Sequence, residues 1–462
     1  MFTLSSLISA SGGRVVRGSA DQALRFTGGA FDSRLVSAGD CFFALRDQRD
    51  GHDFVADALR RGAVAAVVER IPSDIPADAV LIQVASPLHA LRQLADAIRR
   101  EQPIPAVGIT GSVGKTTTKE ATAAALGARY RVLRTLASHN NEIGVPLTFL
   151  RQEPGHEVAV IELGFYVPGE IADLSRLVRQ RIGIITAIPD IPVHFARTPD
   201  VEAIARGKAE LIEALPADGV ALLNADDARV RGLAARTRAR VVLFGESADA
   251  EVRATLVRED GFAGTRFSVR VGSEQTEARL PLPGRHLLGA ALAALGAATI
   301  LGVPLDEAAV ALETLEPPAH RMSVRRGMGI TVLDDSYNSS PAAVHAALAV
   351  LRDVRTRRVA VLGDMLELGT FSVSAHEAVG ADVARSADAL IAVGELAAII
   401  ASAAQRSGLR TVRRAADAAE ALVSCRQLLR PGDTVLVKGS RALALDALAD
   451  ALVRPTDETV RA

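Results

Sequence analysis

Residues 108–118 read Gly-Ile-Thr-Gly-Ser-Val-Gly-Lys-Thr-Thr-Thr. Glycines at this spacing let a backbone turn so that its N–H groups converge on phosphate oxygens. The apolar stretch Ala106-Val-Gly-Ile precedes the loop and a helix-forming stretch, Thr116 to Leu126, follows it, which is the strand–turn–helix setting a phosphate loop requires. The helix N-terminus adds positive potential. Lys115 is then placed to reach β- and γ-phosphates, and the Thr116 hydroxyl to ligate Mg²⁺. Gly111, Ser112, Val113, Gly114 and Thr117 complete the cradle. The strict pattern has a glycine five positions before Gly114. Ile109 stands there, so this is a variant loop, and the competing reading is a glycine-rich turn that holds no nucleotide.

Three further residues could meet a metal beside this loop. Glu162 ends the apolar run Val158-Ala-Val-Ile, and His194 follows the run Ile182 to Ile185 by a short loop. In open parallel sheets ligands bind outside the carboxyl ends of the strands, so Glu162, His194 and Thr116 could share one Mg²⁺. Each also has a bland reading, as a turn cap or an ordinary loop histidine. Lys208 lies on the apolar stripe Val201, Ile204, Leu211, Leu215 of a helical segment. A lysine there either snorkels outward or has a polar destination. Burial would favour its neutral amine, which can take up carbon dioxide and become an anionic, metal-binding carbamate.

Polar residues recur at two later strand ends. Asp334-Asp-Ser-Tyr-Asn338 precedes Ser339-Ser-Pro341 and a helix, and is either a ligand-facing edge or an Asp/Asn-rich turn with a helix cap. Lys438-Gly-Ser-Arg441 suits a carboxylate or phosphate, or is a solvated turn. Arg321 follows Pro317-Pro318 and could reach phosphate across a domain gap. Asp32-Ser-Arg34 and Asp50-Gly-His52 are the polar clusters nearest the N-terminus.

The elements that must position these residues follow from the patterning. The chain has 462 residues, enough for about three domains at roughly 150 residues each. Residues to about 100 mix short strands and helices, and Glu101-Gln-Pro-Ile-Pro105 reads as a linker. Strand–helix alternation from 104 predicts a mostly parallel sheet covered on both faces. From Glu251 to Leu282 the period is two, with a turn at Asp260-Gly261, which predicts an antiparallel hairpin region. A long Ala/Leu helix covers Arg285 to Leu301. After Pro317-Pro318 the alternation resumes as a second doubly wound unit: strands at 330–333, 359–362, 389–393 and 434–437, with helices at 342–351 and 374–385. The expected domains are 1–102, 103–316 and 317–462.

Composition narrows the class. Lys and Arg number 53 against 54 Asp and Glu, so there is no general attraction to nucleic acid or anionic membrane. Cys41 and Cys425 are far apart and in no ligand pattern, which excludes a disulfide scaffold or zinc finger. Tryptophan is absent, which argues against base-stacking platforms. Neither a secretory signal nor a membrane span is read, so a cytoplasmic protein is expected.

With these motifs in place, the chain resembles the Mur ligases of bacterial cell-wall synthesis. Phe31-Asp-Ser-Arg34 with Asp50-Gly-His-Asp-Phe54, the phosphate loop, Asn140-Asn-Glu-Ile-Gly-Val-Pro-Leu-Thr148, Asp334 to Asn338, Gly363-Asp-Met-Leu-Glu-Leu-Gly369 and Val437-Lys-Gly-Ser-Arg441 carry the resemblance. It implies an α/β protein of three domains. These are a small N-terminal UDP-sugar domain, a central P-loop ATPase domain with a parallel sheet and an antiparallel hairpin region, and a C-terminal Rossmann-like domain. It implies an ATP- and Mg²⁺-dependent amide ligase in peptidoglycan precursor synthesis, joining D-alanyl-D-alanine to a UDP-N-acetylmuramoyl-tripeptide through an acyl phosphate. A monomer is expected. By resemblance, Glu162 and His194 ligate Mg²⁺ with Thr116, and Lys208 is carbamylated and joins the metal; Glu162, His194 and Lys208 stand with Lys115 as the catalytic set. Asn224, Arg321 and Asp335 become ATP contacts. Ser33, Arg34, Asn140, Asn141, Tyr337, Asn338, Lys438, Ser440 and Arg441 become substrate contacts. The chain departs from the family pattern at Ser138, Phe165-Tyr-Val167, Pro189 to Val193, Phe195-Ala-Arg197 and Leu287. Two other readings fit: a related amide ligase with a different amine or carboxylate, and a nucleotide-binding module without catalysis.

Overall fold

The computed structural model describes residues 2–454 except 20, 22, 47, 48, 77, 192–197 and 199. The architecture is the expected α/β one, with three main sheets that follow one another along the chain. The first has five strands in the order Arg14–Arg17, Val80–Gln83, Ala65–Val68, Asp40–Phe43, Gly28–Ala30. The second has nine: Glu274–Leu280, Thr265–Val271, Val252–Glu259, Arg240–Gly245, Val220–Asn224, Ile182–Ile185, Ala106–Thr110, Val158–Glu162 and Val132–Arg134. The third has six: Ser323–Gly327, Ile330–Asp334, Thr434–Lys438, Arg358–Gly363, Ala389–Val393 and Val412–Ala415.

The central strands are short, apolar and buried, as sheets covered on both faces require. Their parallel register sets Glu162 beside Ile109 and Ile185 beside Thr110, so four strand ends open on one edge around the phosphate loop. The helix Lys115–Leu126 packs against Leu288–Ile300, the Ala/Leu helix expected from composition. A short 3₁₀ turn, Arg285–Leu287, leads into it.

Several details differ from the sequence reading. The region 251–282 is a three-stranded meander, not a single hairpin: a second, two-residue turn at Gly272-Ser273 joins Val271 to Glu274. Strands Val132–Arg134, Arg240–Gly245, Ser323–Gly327 and Val412–Ala415 were not anticipated. Three of these are sheet edges carrying arginine, and edge strands have no need of a continuous apolar run. Two helices, Ala397–Arg406 and Ala418–Leu428, flank the last of these strands.

The cores are not divided as the sheets are. One continuous cluster runs from Leu4, Leu91 and Ile98 in the first segment to Val145, Phe149 and Ile171 in the second. Arg99 is buried within this seam. Its guanidinium donates to the carbonyls of Ile104 (3.1 Å) and Val178 (2.8 Å) and stacks 4.9 Å from the Phe149 ring centroid. The third sheet has separate cores on its two faces, one of which meets the central segment through the partly buried Ile191, Phe262 and Leu287.

Candidate functional site

A cleft of about 510 Å³ lies between the central sheet edge and the third sheet. On one side stand Ser112 to Thr118, Ser138, Asn140, Glu162 and Asn224; on the other, Arg321, Asp335, Tyr337, Asn338, Lys438 and Arg441. Sequence separations above 200 residues are thus closed into one site.

The phosphate loop is held by its neighbours. Gly111 has φ +151° and a Cβ there would stand 1.9 Å from Thr186 Oγ1. That hydroxyl donates to the Val113 carbonyl at 2.6 Å, and Ser112 N–H donates to Ala187 O at 2.8 Å. Gly114 sits at φ +85° as the helix N-cap. Ile109 is a buried strand residue, so the turn begins two residues later than the strict pattern would put it. Lys115 Nζ donates to the carbonyls of Gly111 (2.8 Å) and Ser112 (3.4 Å), which keeps the ammonium over the loop. Desolvation lowers its pKa, while Glu162 opposes that shift.

Glu162 is 1 % exposed and its carboxylate is shared by two neutral donors. Thr116 Oγ1 donates to Oε2 and Asn140 Nδ2 to Oε1, each at 2.8 Å. Among the described residues no ion pair reaches it. A buried carboxylate beside a hydroxyl is a set of hard oxygen donors that fits Mg²⁺. Lys208 is 3 % exposed, so it does not snorkel. Its Nζ lies 4.8 Å from the Phe165 ring centroid, and burial, with the charge of Lys115, pushes its pKa well below the ordinary lysine value. The amine is therefore biased to the neutral form that carbamylation needs. His194, with Phe195 to Arg197, lies outside the described residues.

The loop 135–140 reaches the cleft through a strap. Lys119, fully buried, donates to the carbonyls of Thr135 (2.7 Å) and Ala137 (2.8 Å) and pairs with Glu120. Beyond the strap, the Ser138 hydroxyl accepts from Arg321 Nη2 at 3.1 Å. Arg321 and Arg441 bracket the Tyr337 ring at 4.1 and 5.2 Å. Lys438 Nζ donates to Asp335 Oδ2 at 2.5 Å and to Asn338 O at 2.9 Å. Arg441 also pairs with Asp446 at 2.6 Å, so Arg321 is the cation of this wall that has no carboxylate partner among the described residues. Phe244, Leu287, Ala290, Ala343 and Ala346 make the opposite end apolar, suited to a flat ring. Asn224 lines the cleft and spends its amide on Thr186 O at 2.8 Å.

Other residues named from sequence stand elsewhere. Asn141 Oδ1 accepts from the N–H of Gly144 at 3.0 Å and so caps the helix Gly144–Leu150. Ser440 Oγ accepts from Leu366 N–H at 2.9 Å. Ser33 is buried near Asp57, and Arg34 forks onto Asp32. The stretch Gly29 to Asp32, with Leu35, faces Leu136, His139 and Arg151 across the seam between the first two sheets. Thr186, Phe244 and His286 line the cleft without any signal in the sequence, and Tyr166, Ser339 and Ser340 join them, which the sequence marks only as a departure from the family pattern and as a helix lead-in.

Three domain families match the chain in order. They are the Mur ligase family catalytic domain at 26–99, the Mur ligase middle domain at 109–298 and the Mur ligase glutamate ligase domain at 320–441. A relative from Mycobacterium tuberculosis, named UDP-N-acetylmuramoyl-tripeptide–D-alanyl-D-alanine ligase, is 36% identical over 92% of this chain and 91% of its own. The chain belongs to the Mur ligase family. Another family member under the same name, from Escherichia coli, is 34% identical over 91% of this chain and 92% of its own. Among solved Mur ligases, MurF from Acinetobacter baumannii superposes with a TM-score of 0.83 at 30% identity, covering 98% of both chains. MurF from Thermotoga maritima in complex with ADP gives 0.75 at 26% identity, covering 94% of this chain and 98% of that one.

Proposed function

We propose that this Mur ligase is a UDP-N-acetylmuramoyl-tripeptide–D-alanyl-D-alanine ligase acting in peptidoglycan precursor synthesis. The observation that carries the reading is the facing of Lys115 and Thr116 by Asp335, Lys438 and Arg441 across one cleft. A nucleotide-activating edge thereby meets a wall suited to anionic substrate groups. The names of full-length relatives supply the substrates.

The tripeptide carboxylate oxygen attacks the γ-phosphorus of ATP, and the bond to the β-phosphate oxygen breaks to release ADP. The dipeptide amine then attacks the carbonyl carbon of the acyl phosphate. Phosphate leaves, and the nitrogen loses a proton. Phosphorylation supplies the leaving group that a carboxylate lacks. Lys115 and the loop amides hold charge in place, and Arg321 and Lys438 position anionic groups from the far wall. Mg²⁺, when bound, would offset phosphate charge; Thr116, Glu162 and a carbamylated Lys208 are the residues that would hold it, with His194 assigned by resemblance.

The units we assign are 1–102 for the UDP-sugar, 103–316 for ATP and 317–462 for the dipeptide side. No helix among the described residues is long and apolar enough to cross a membrane. The reading places the enzyme in the cytoplasm, as a monomer, where ATP and UDP-linked precursors are supplied. The test is incubation of the purified chain with ATP, Mg²⁺, UDP-N-acetylmuramoyl-tripeptide and D-alanyl-D-alanine. Phosphate release that needs both acceptor and donor, with the pentapeptide product seen by mass spectrometry, is expected. Product with a different amine in a panel, and none with D-alanyl-D-alanine, overturns the assignment.

A further inference from the structure

The turn after Glu162 is built onto the helix that carries Lys208. Phe165 is 4 % exposed, and its ring fills a notch in the helix Val201–Glu213. The notch exists because residue 207 is glycine: a Cβ there would stand 2.0 Å from Phe165 Cε2 and 2.4 Å from Cζ. One turn further along the same helix, Glu210 accepts from the N–H groups of Gly169 (2.7 Å) and Ala172 (3.0 Å). Inside the turn, Glu170 accepts from the N–H of Tyr166 (2.6 Å) and Val167 (3.1 Å). At its start, the Thr110 hydroxyl donates to Leu163 O at 3.0 Å. The ring is thus held at both ends of its turn and cannot leave the lysine without breaking several of these bonds.

We propose that Phe165 is a positioning residue for Lys208: its ring, admitted by Gly207, walls the amine off from water and fixes it in one place. An aromatic face is suited to this, because it excludes solvent and offers only a weak π acceptor in place of the strong bond that a carbonyl or carboxylate would make. Fixing a flexible four-carbon side chain matters, since its several rotatable bonds otherwise spread the amine over many positions. The ligase reading enters only in what the held amine is for; the seat itself stands apart from it.

The test measures access to Lys208 in the full chain without nucleotide, in chelator and carbon-dioxide-depleted buffer. Trinitrobenzenesulfonate labels free amines, and peptide mass spectrometry gives the rate at each lysine. Lys119, fully buried under its own carbonyl partners, is the internal control for general loosening. In Phe165→Ala the ratio of Lys208 to Lys119 labelling is expected to rise about tenfold. Gly207→Ala, which displaces the ring without removing it, should raise the ratio as well. The double variant should match Phe165→Ala alone, because the new methyl then enters vacated space. An unchanged ratio in Phe165→Ala overturns the proposal, whether both lysines stay protected or both open. A double variant far above the single one overturns the role of Gly207. A raised ratio with ligation unaltered keeps the shielding by the ring and overturns its positioning role.

Discussion

The Thr116 hydroxyl donates to the Glu162 carboxylate at 2.8 Å, joining the first turn of the phosphate helix to the end of the neighbouring strand. The two oxygens form the nearest thing to a prepared cation seat in the cleft. Thr116→Val keeps the shape and deletes one oxygen. The Mg²⁺ concentration giving half-maximal ligation should rise by roughly 10–100-fold. An unaltered magnesium dependence would remove Thr116 from the seat.

Lys115 is held over its own loop by the Gly111 and Ser112 carbonyls, so its ammonium is in place before nucleotide arrives. Lys115→Ala should lower kcat by about 10²–10³-fold, the usual cost of one preorganised charge-stabilising group. Circular dichroism and the thermal midpoint should stay close to wild type, because the lost bonds are local. Ligation at the wild-type rate would contradict the loop assignment.

Lys208→Ala should abolish ligation, since nothing then supplies the anionic oxygen that the proposed carbamate would provide. Added formate or acetate should restore part of the rate by entering the emptied space. Activity indifferent to Lys208 would show that its burial serves the fold alone.

His376 gives the third segment a pH dependence. It is fully buried, its Nδ1–H donating to Ser372 O at 2.6 Å and its Nε2 accepting from Met365 N–H at 3.1 Å. The Met365 bond requires an unprotonated Nε2, and burial lowers the ring's pKa from 6.5 although the Ser372 carbonyl opposes that shift. The unfolded chain therefore binds more protons than the folded one just below that value, so stability falls as pH drops through the window. His376→Gln should flatten this decline between pH 7 and 5 and cost about 1–3 kcal/mol at pH 7 through unpaired polar groups. Equal slopes for the two proteins in a thermal-midpoint series would refute it.

What was legible in the sequence was whatever is local. The phosphate loop announces itself because strand, glycines, lysine and helix are contiguous, and Glu162 because it ends a buried strand. The burial of Lys208 was visible only as a stripe with two possible outcomes; the neighbour that decides it, Phe165, is over 40 residues away. Thr186 carries no motif at all, since a single threonine at a strand end becomes a loop support only once Val113 is brought beside it. Asn141 and Ser440 stand inside recognisable strings, yet their side chains bond to backbone nearby. Spacing identifies a string but does not say which of its members face the cleft.

The seam around Arg99 has a thermodynamic consequence. A guanidinium from the first segment bonded to two carbonyls of the second, within one unbroken apolar cluster, leaves no plane along which the first two sheets can part without exposing both faces. They should melt as a single cooperative block, while the last third of the chain, with interiors of its own, is free to give a separate endotherm. Three sheets would then register in a scanning calorimeter as two transitions.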